Sequence, residues 1–193
     1  MNYNIVLNDE HEYYVNGVRV PGVTEVLGVD DRWFDEVSTV RGQHVHMACQ
    51  FLDEGKLNWK TVAPDYEPYV NAYVDFRKNH PWEVVLSEHT AYCPTYRYAG
   101  TLDRLFKRGP SMRLVDIKTS EQPQPWWKYQ LAGYYGLIAT EYPHALRYTL
   151  QLSRKGTYTL NPPYFDMSDL TDFQQLVASW HIREEWSGNK QHR

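Results

Sequence analysis

Cysteine is scarce in this chain of 193 residues: Cys49 and Cys93 are the only two. Two thiols do not make the disulfide framework of a small secreted scaffold, and free buried thiols in a reducing compartment are the expected state. Long apolar runs are missing too, since no window reaches the ~18 uninterrupted apolar residues a membrane-spanning helix needs. The first thirty residues carry Asp9, Glu10, Glu12, Glu25 and Asp30 and no basic-then-apolar stretch, so a cytoplasmic location and no membrane partner are expected. Internal repeats, low-complexity tracts and Pro/Gly-rich linkers do not occur, and neither does a GxxxxGK[ST] run for a nucleotide-driven motor. No Ser/His/Asp or Cys/His nucleophile arrangement stands out. With 42% hydrophobic and 23% charged residues, the composition is that of one folded domain rather than a disordered chain.

Aromatic residues, by contrast, are plentiful. They make up 15% of the chain, with 16 Tyr and 7 Trp, a surplus that would offer bases a stacking surface. The net charge of −4 conceals an asymmetry. From Arg97 to Lys128, seven bases (Arg97, Arg104, Lys107, Arg108, Arg113, Lys118, Lys128) outnumber three acids (Asp103, Asp116, Glu121), which leaves +4 there and −8 elsewhere. A basic segment on an acidic body can attract phosphate locally.

The local patterns alternate between helix and strand signals. Glu12–Val15 and Val18–Val20 flank Asn16-Gly17, a hairpin dipeptide, and Thr24 is placed to cap a short helix through Leu27. Apolar stripes predict helices over about 38–54 and 64–79. Strands are expected over 83–92, 98–107 and 113–119, the last two pairing around Arg108-Gly109-Pro110. Pro125 opens a helix to about Glu141, strands 146–153 and 157–160 form another hairpin, and Ser168-Asp169 caps a last helix to about Glu185. The expected fold class is therefore α/β (α+β).

Chemistry concentrates in the central hairpin. Side chains at i and i+2 share a strand face, so Asp116 and Lys118 point the same way, and Asp103 lies on the neighbouring strand. Two carboxylates suit a hard cation such as Mg²⁺ with room for a phosphate, and a lysine beside them can hold water or stabilise charge. Among the aromatic residues, Trp126 and Trp127 before Lys128, and Trp33 beside Arg32, are the candidates for stacking and phosphate contact, joined by Arg104 of the basic segment. Adjacent Trp126 and Trp127 cannot both face one core, so one should be exposed.

In order along the chain come Arg41-Gly42-Gln43-His44-Val45-His46, Ser87-Glu88, Gly100-Thr101-Leu102-Asp103-Arg104, Val115-Asp116-Ile117-Lys118-Thr119 and Gln130-Leu131-Ala132-Gly133-Tyr134. This series resembles the PD-(D/E)XK nuclease superfamily, and within it the RecB-like and phage-type exonucleases, from about Pro21 to Phe165. The resemblance implies a central mixed β-sheet flanked by helices, in a single domain over 1–193 with a hairpin and helical segment (1–80) before a catalytic sheet core (81–185). It makes Asp103 and Asp116 metal-binding acids, Lys118 the catalytic lysine, and the Ile117 carbonyl part of the metal shell. Gln130 and Tyr134 match the family's Q-x-x-x-Y element, Glu88 its additional acid, and His46 its helix-borne histidine ligand, with His44 a decoy. An imidazole ligand suits Mn²⁺ better than Mg²⁺. The branch with a four-cysteine iron–sulfur cluster is excluded by the cysteine count. The implied activity is a Mg²⁺- or Mn²⁺-dependent DNA exonuclease giving 5′-phosphate products, of bacterial or phage recombination or repair, acting on DNA with free ends. A phage recombinase or single-strand annealing protein is the implied partner. A structure-specific or single-strand endonuclease on the same fold, and a silent nucleic-acid-binding module, are the alternatives.

Overall fold

A computed structural model describes residues 3–29 and 36–188. The chain starts with a three-stranded antiparallel sheet, β1 (Ile5–Leu7), β2 (Tyr13–Val15) and β3 (Val18–Val20). Asn16 and Gly17 take φ of 50° and 82° at the two-residue turn between β2 and β3, as a type I′ hairpin requires. Two helices follow, the one-turn α1 (Val23–Val26) and the long α2 (Glu36–Asp53). Gly22 rather than Thr24 caps α1, its N–H satisfied by the Glu25 carboxylate. A 3₁₀ turn at Trp59–Thr61 leads to α3 (Glu67–Asn79), with Pro68 in its first turn.

The main sheet then forms in the order β4 (Glu83–Cys93), β5 (Tyr98–Arg108), β6 (Ser111–Lys118), β7 (Leu146–Leu152), β8 (Tyr158–Leu160). Its pairs are antiparallel except β6 with β7, which run parallel because α4 (Trp127–Ile138) crosses over between them. The last element of the described residues is α5 (Ser168–Gly188), whose entry is held by Asp166 accepting the Ser168 N–H, while Asp169 is buried against Lys128 and Arg147. Apolar stripes, β-branched runs and turn or cap signals thus placed every long element of the described residues; the short β1 carried no such signal.

Helices cover both faces of this mixed sheet. On one side α2 and α3 bring Val45, Cys49, Tyr69, Tyr73 and Phe76 onto Phe106, Val115, Ile117 and Leu150. On the other, α1, α4 and α5 bring Val23, Leu131, Tyr135 and Phe173 onto Leu102, Leu105 and Leu114. Many of the aromatics, Tyr98, Tyr135, Phe173, Tyr69, Phe76 and Trp82 among them, fill these layers instead of offering a surface to bases. Phe76 is fully buried with Tyr73, Trp82, Phe106 and Tyr158 around it at centroid distances of 5.5–6.0 Å, and each such pair contributes ~0.5–1.5 kcal/mol beyond its buried area. Gly133 lets α4 come close to its neighbours: a Cβ there would lie 2.7 Å from Phe173 and 2.9 Å from Val23.

Both thiols are free, Cys49 buried and Cys93 half-buried. Among the described residues no helix is long and apolar enough to cross a membrane.

Candidate active site

The alternation of β6 sends Val115 and Ile117 into the α2–α3 layer, and Leu114, Asp116 and Lys118 toward α4. The β5–β6 ladder runs from Arg108↔Ser111 to Arg104↔Val115 and stops there, although both strands continue. At this point a side chain replaces the main-chain partner. Asp103 Oδ2 accepts the Ile117 N–H at 2.6 Å. The two strands therefore part where the two aspartates lie, at the floor of a cleft of about 1240 Å³.

Three candidate ligands meet on that floor. Donor atoms of His46, Glu88 and Asp103 all lie within 4.8 Å of one another. α2 delivers His46, whose Nε2 is 3.0 Å from the Ile117 carbonyl oxygen and whose Nδ1 is 3.3 Å from Asp103 Oδ1. A ring nitrogen bonded to a carbonyl fixes the tautomer and leaves the other nitrogen for a cation. His44 faces elsewhere, with its Nδ1 on the Val40 carbonyl of its own helix. β4 delivers Glu88 through an unusual backbone conformation, φ +44°, in the left-handed region that costs a non-glycine residue ~1–3 kcal/mol. Asp116 stands outside the three-residue group and is tied instead to Lys118, with Oδ2 2.6 Å from Nζ. The Ile117 carbonyl is already engaged by His46.

Lys118 is held from both sides. Its ammonium also donates to Gln130 Oε1 at 2.6 Å, and Gln130 Nε2 in turn donates to Tyr134 Oη at 3.3 Å and Thr24 Oγ1 at 3.4 Å. Positions 130 and 134 share a face of α4, so the Gln130–Tyr134 pair stands over the hairpin.

The charges are strongly coupled. Burial alone would depress the His46 pKa, but the Asp103 carboxylate, reinforced by Glu88 and Asp116, outweighs it and raises the value to about 9. Burial opposes ionisation of Asp103 as well, yet His46, Lys118 and the Ile117 N–H hold it below the ordinary carboxylate range. Burial lifts Asp116 to about 6 despite Lys118, with the charge on Asp103 adding to the rise. Glu88 is raised by burial and by Asp103, against His46 and Arg104.

The DNA-contact candidates divide. Trp126 lines the cleft half-buried, with Lys118 Nζ 5.5 Å from its ring centroid. Trp127 also borders the cleft but is 1% exposed, so it packs as core and has no free face for a base. Lys128 turns away to Asp169, 3.1 Å distant. Arg104 is fully buried, and its guanidinium bonds Asp53 and Glu88. Arg32 and Trp33 lie outside the described residues. The basic segment does not converge on the cleft either: of its seven bases only Lys118 lines it. The cation that sequence reasoning missed is Arg41, on the cleft wall with Nε 3.4 Å from Thr119 Oγ1 and Nη2 3.2 Å from Ser38 Oγ. Its position five residues before His46, on the same helix, was the available signal.

No protein-family model matches the sequence, and no curated protein sequence does. Solved structures do resemble it. The alkaline exonuclease LHK-Exo from Laribacter hongkongensis superposes with a TM-score of 0.53 at 13% identity, over 89% of each chain. Its complex with dAMP gives 0.50 at 13%, over 86% of each. A candidate exonuclease from Eubacterium rectale gives 0.53 at 12%, over 83% of this chain and 70% of that one. At these identities the likeness is one of fold: a mixed sheet flanked by helices, shared with exonucleases.

Proposed function

We propose that the protein is a Mg²⁺- or Mn²⁺-dependent deoxyribonuclease of PD-(D/E)XK type, an exonuclease that hydrolyses DNA from free ends to 5′-phosphate products. The observation that carries this reading is the convergence of His46, Glu88 and Asp103 donor atoms beside the Asp116–Lys118–Gln130 chain, at the bottom of an open cleft. The exonuclease folds it resembles support the same reading.

The donor set fits a divalent cation. One imidazole and two carboxylates supply nitrogen and oxygen ligands, a mixture suited to Mn²⁺ and acceptable to Mg²⁺. His46, Glu88 and Asp103 would hold it, with Asp116 available once its bond to Lys118 is exchanged. When bound, the cation supplies charge neutralisation and Lewis-acid polarisation at a phosphate oxygen. The remaining work falls to the chain. Lys118, held by Gln130 and by Asp116, presents an ammonium that orients the attacking water and stabilises charge on the phosphate. Gln130 fixes that ammonium and is itself steadied by Tyr134 and Thr24. Trp126 offers the half-buried ring on which a base near the cleft floor can stack, and Arg41 brings a second positive charge to the cleft wall.

Degradation of end-labelled linear DNA, single- and double-stranded, in Mg²⁺, Mn²⁺ or EDTA tests the proposal, with Lys118→Ala and a circular single strand as controls. Metal-dependent loss of the linear strands that needs Lys118 and spares the circle is expected. Cutting of the circle would make the enzyme an endonuclease, and metal-independent or absent cleavage by the folded protein would refute the proposal.

A further inference from the structure

Arg104 is one of the largest side chains in the protein with no solvent-exposed surface. It cannot reach a substrate, and salt-bridge formation with Asp53 alone would satisfy its charge. Its guanidinium does more than that. Nη1 donates to Glu88 Oε1 at 2.7 Å and to the main-chain oxygen of Asp103, its neighbour in the chain, at 2.6 Å, so the guanidinium grips one acid of the candidate metal group by its carboxylate. Nε donates to Asp53 Oδ2 at 2.8 Å. Asp53 is fixed in turn by the Tyr73 hydroxyl at 2.6 Å and by Arg77 Nε at 2.9 Å. Arg77 is anchored on the Trp82 carbonyl and packs over the Phe106 ring.

We propose that Arg104 is a positioning residue for the metal site, holding the Glu88 carboxylate toward His46 and Asp103 through a buried relay rooted in α2 and α3. The proposal rests on the reading of His46, Glu88 and Asp103 as metal ligands. Three features of the site call for such a residue. Glu88 sits on left-handed backbone within an extended strand, a conformation that persists only when its surroundings impose it. Its carboxylate lies close to that of Asp103, and without a fixed cation beside it the two would repel. Arg104 engages Oε1, and a carboxylate has a second oxygen for an ion. A lysine cannot replace this arrangement, because a point charge does not span the fork that joins Asp53 to Glu88. The relay also links two ligands to one element: His46 and Asp53 are seven residues apart on α2, two turns along the same face. The helix thus places one ligand directly and the other through Arg104.

The test is Mn²⁺ binding to the full chain without DNA, read as free Mn²⁺ by electron paramagnetic resonance. Wild type, Arg104→Lys, Glu88→Gln and the double variant are compared, with thermal unfolding of each metal-free protein as the check on folding. Loss of an outer partner of a metal ligand weakens affinity by about 10–100-fold, so Arg104→Lys should bind at least about tenfold more weakly. The double variant should bind no more weakly than Glu88→Gln alone, since Arg104 acts through Glu88; a generally loosened fold would make the two losses multiply. If Arg104→Lys does not fold, Asp53→Asn takes its place in the same cycle, with a loss again absorbed by Glu88→Gln. Wild-type affinity in Arg104→Lys, or multiplying losses, would overturn the positioning role while leaving the metal site intact. A wild type that binds no Mn²⁺, indistinguishable from Asp103→Asn, would overturn the metal-site reading and this proposal with it.

Discussion

His46→Asn, with metal affinity followed across pH, probes the electrostatics of the site. In the metal-free protein the Asp103 carboxylate keeps a proton on the His46 ring up to about pH 9. A cation must displace that proton to bind Nδ1, so affinity follows the deprotonated fraction of His46 and rises about tenfold per pH unit below 9. That fraction is about 1% at pH 7 and about 24% at pH 8.5, so binding should strengthen about 25-fold, or ~1.9 kcal/mol at 1.36 kcal/mol per tenfold. The same shift acts on folding. A pKa raised from 6.5 to about 9 stabilises the metal-free fold fully below pH 6.5, and this contribution, up to about 3 kcal/mol, is lost as pH rises through 9. Calorimetric Mn²⁺ titrations at pH 7 and 8.5, each in two buffers of different ionisation enthalpy, measure both the affinity and the protons released. Wild type should release close to one proton per ion at pH 7. His46→Asn should bind more weakly with a nearly flat pH profile. A wild-type affinity that is independent of pH, with no proton released, would refute the assignment of His46 as a protonated ligand.

Other perturbations separate the roles of neighbouring residues. Lys118→Met should keep Mn²⁺ binding while cleavage falls by about 10²–10³-fold, the cost of removing one preorganised charge-stabilising donor; single-turnover assays at saturating metal measure it. Trp126→Ala should weaken binding of a short single strand in Ca²⁺ by ~1–3 kcal/mol if a base stacks there, whereas Lys128→Ala, whose ammonium is committed to Asp169, should leave that affinity unchanged; fluorescence anisotropy reads both. Gly133→Ala should destabilise the fold by about 1–3 kcal/mol, because its methyl would press on Phe173 and Val23; chemical unfolding checks it.

Much of this site was legible because its geometry is local. Asp116 and Lys118 are two residues apart on a strand, and Gln130 and Tyr134 four apart on a helix, so periodicity alone places each pair on one face. The resemblance to nuclease motifs then picked out His46 and Glu88, and the fold brings these two to Asp103. What escaped depends on non-local packing. Arg104 and Trp127 read as DNA contacts from composition, but α2 supplies Asp53 to neutralise the first, and α4 turns the second into the core. Lys128 finds its partner on α5, about forty residues later in the chain. Glu88 reaches the site through a left-handed backbone turn inside a strand, which no residue type announces when the residue is not glycine. Part of the aromatic surplus, which suggested a stacking surface, is consumed by two sheet–helix interfaces.

The most direct measurement is a crystal structure of the protein grown with Mn²⁺, with anomalous scattering collected at the manganese edge. A manganese peak bonded to His46 Nδ1 and to carboxylate oxygens of Glu88 and Asp103 is expected, with Arg104 still on Glu88. Manganese bound elsewhere in the molecule, or a His46–Glu88–Asp103 group left empty at saturating Mn²⁺, would contradict the metal-site reading.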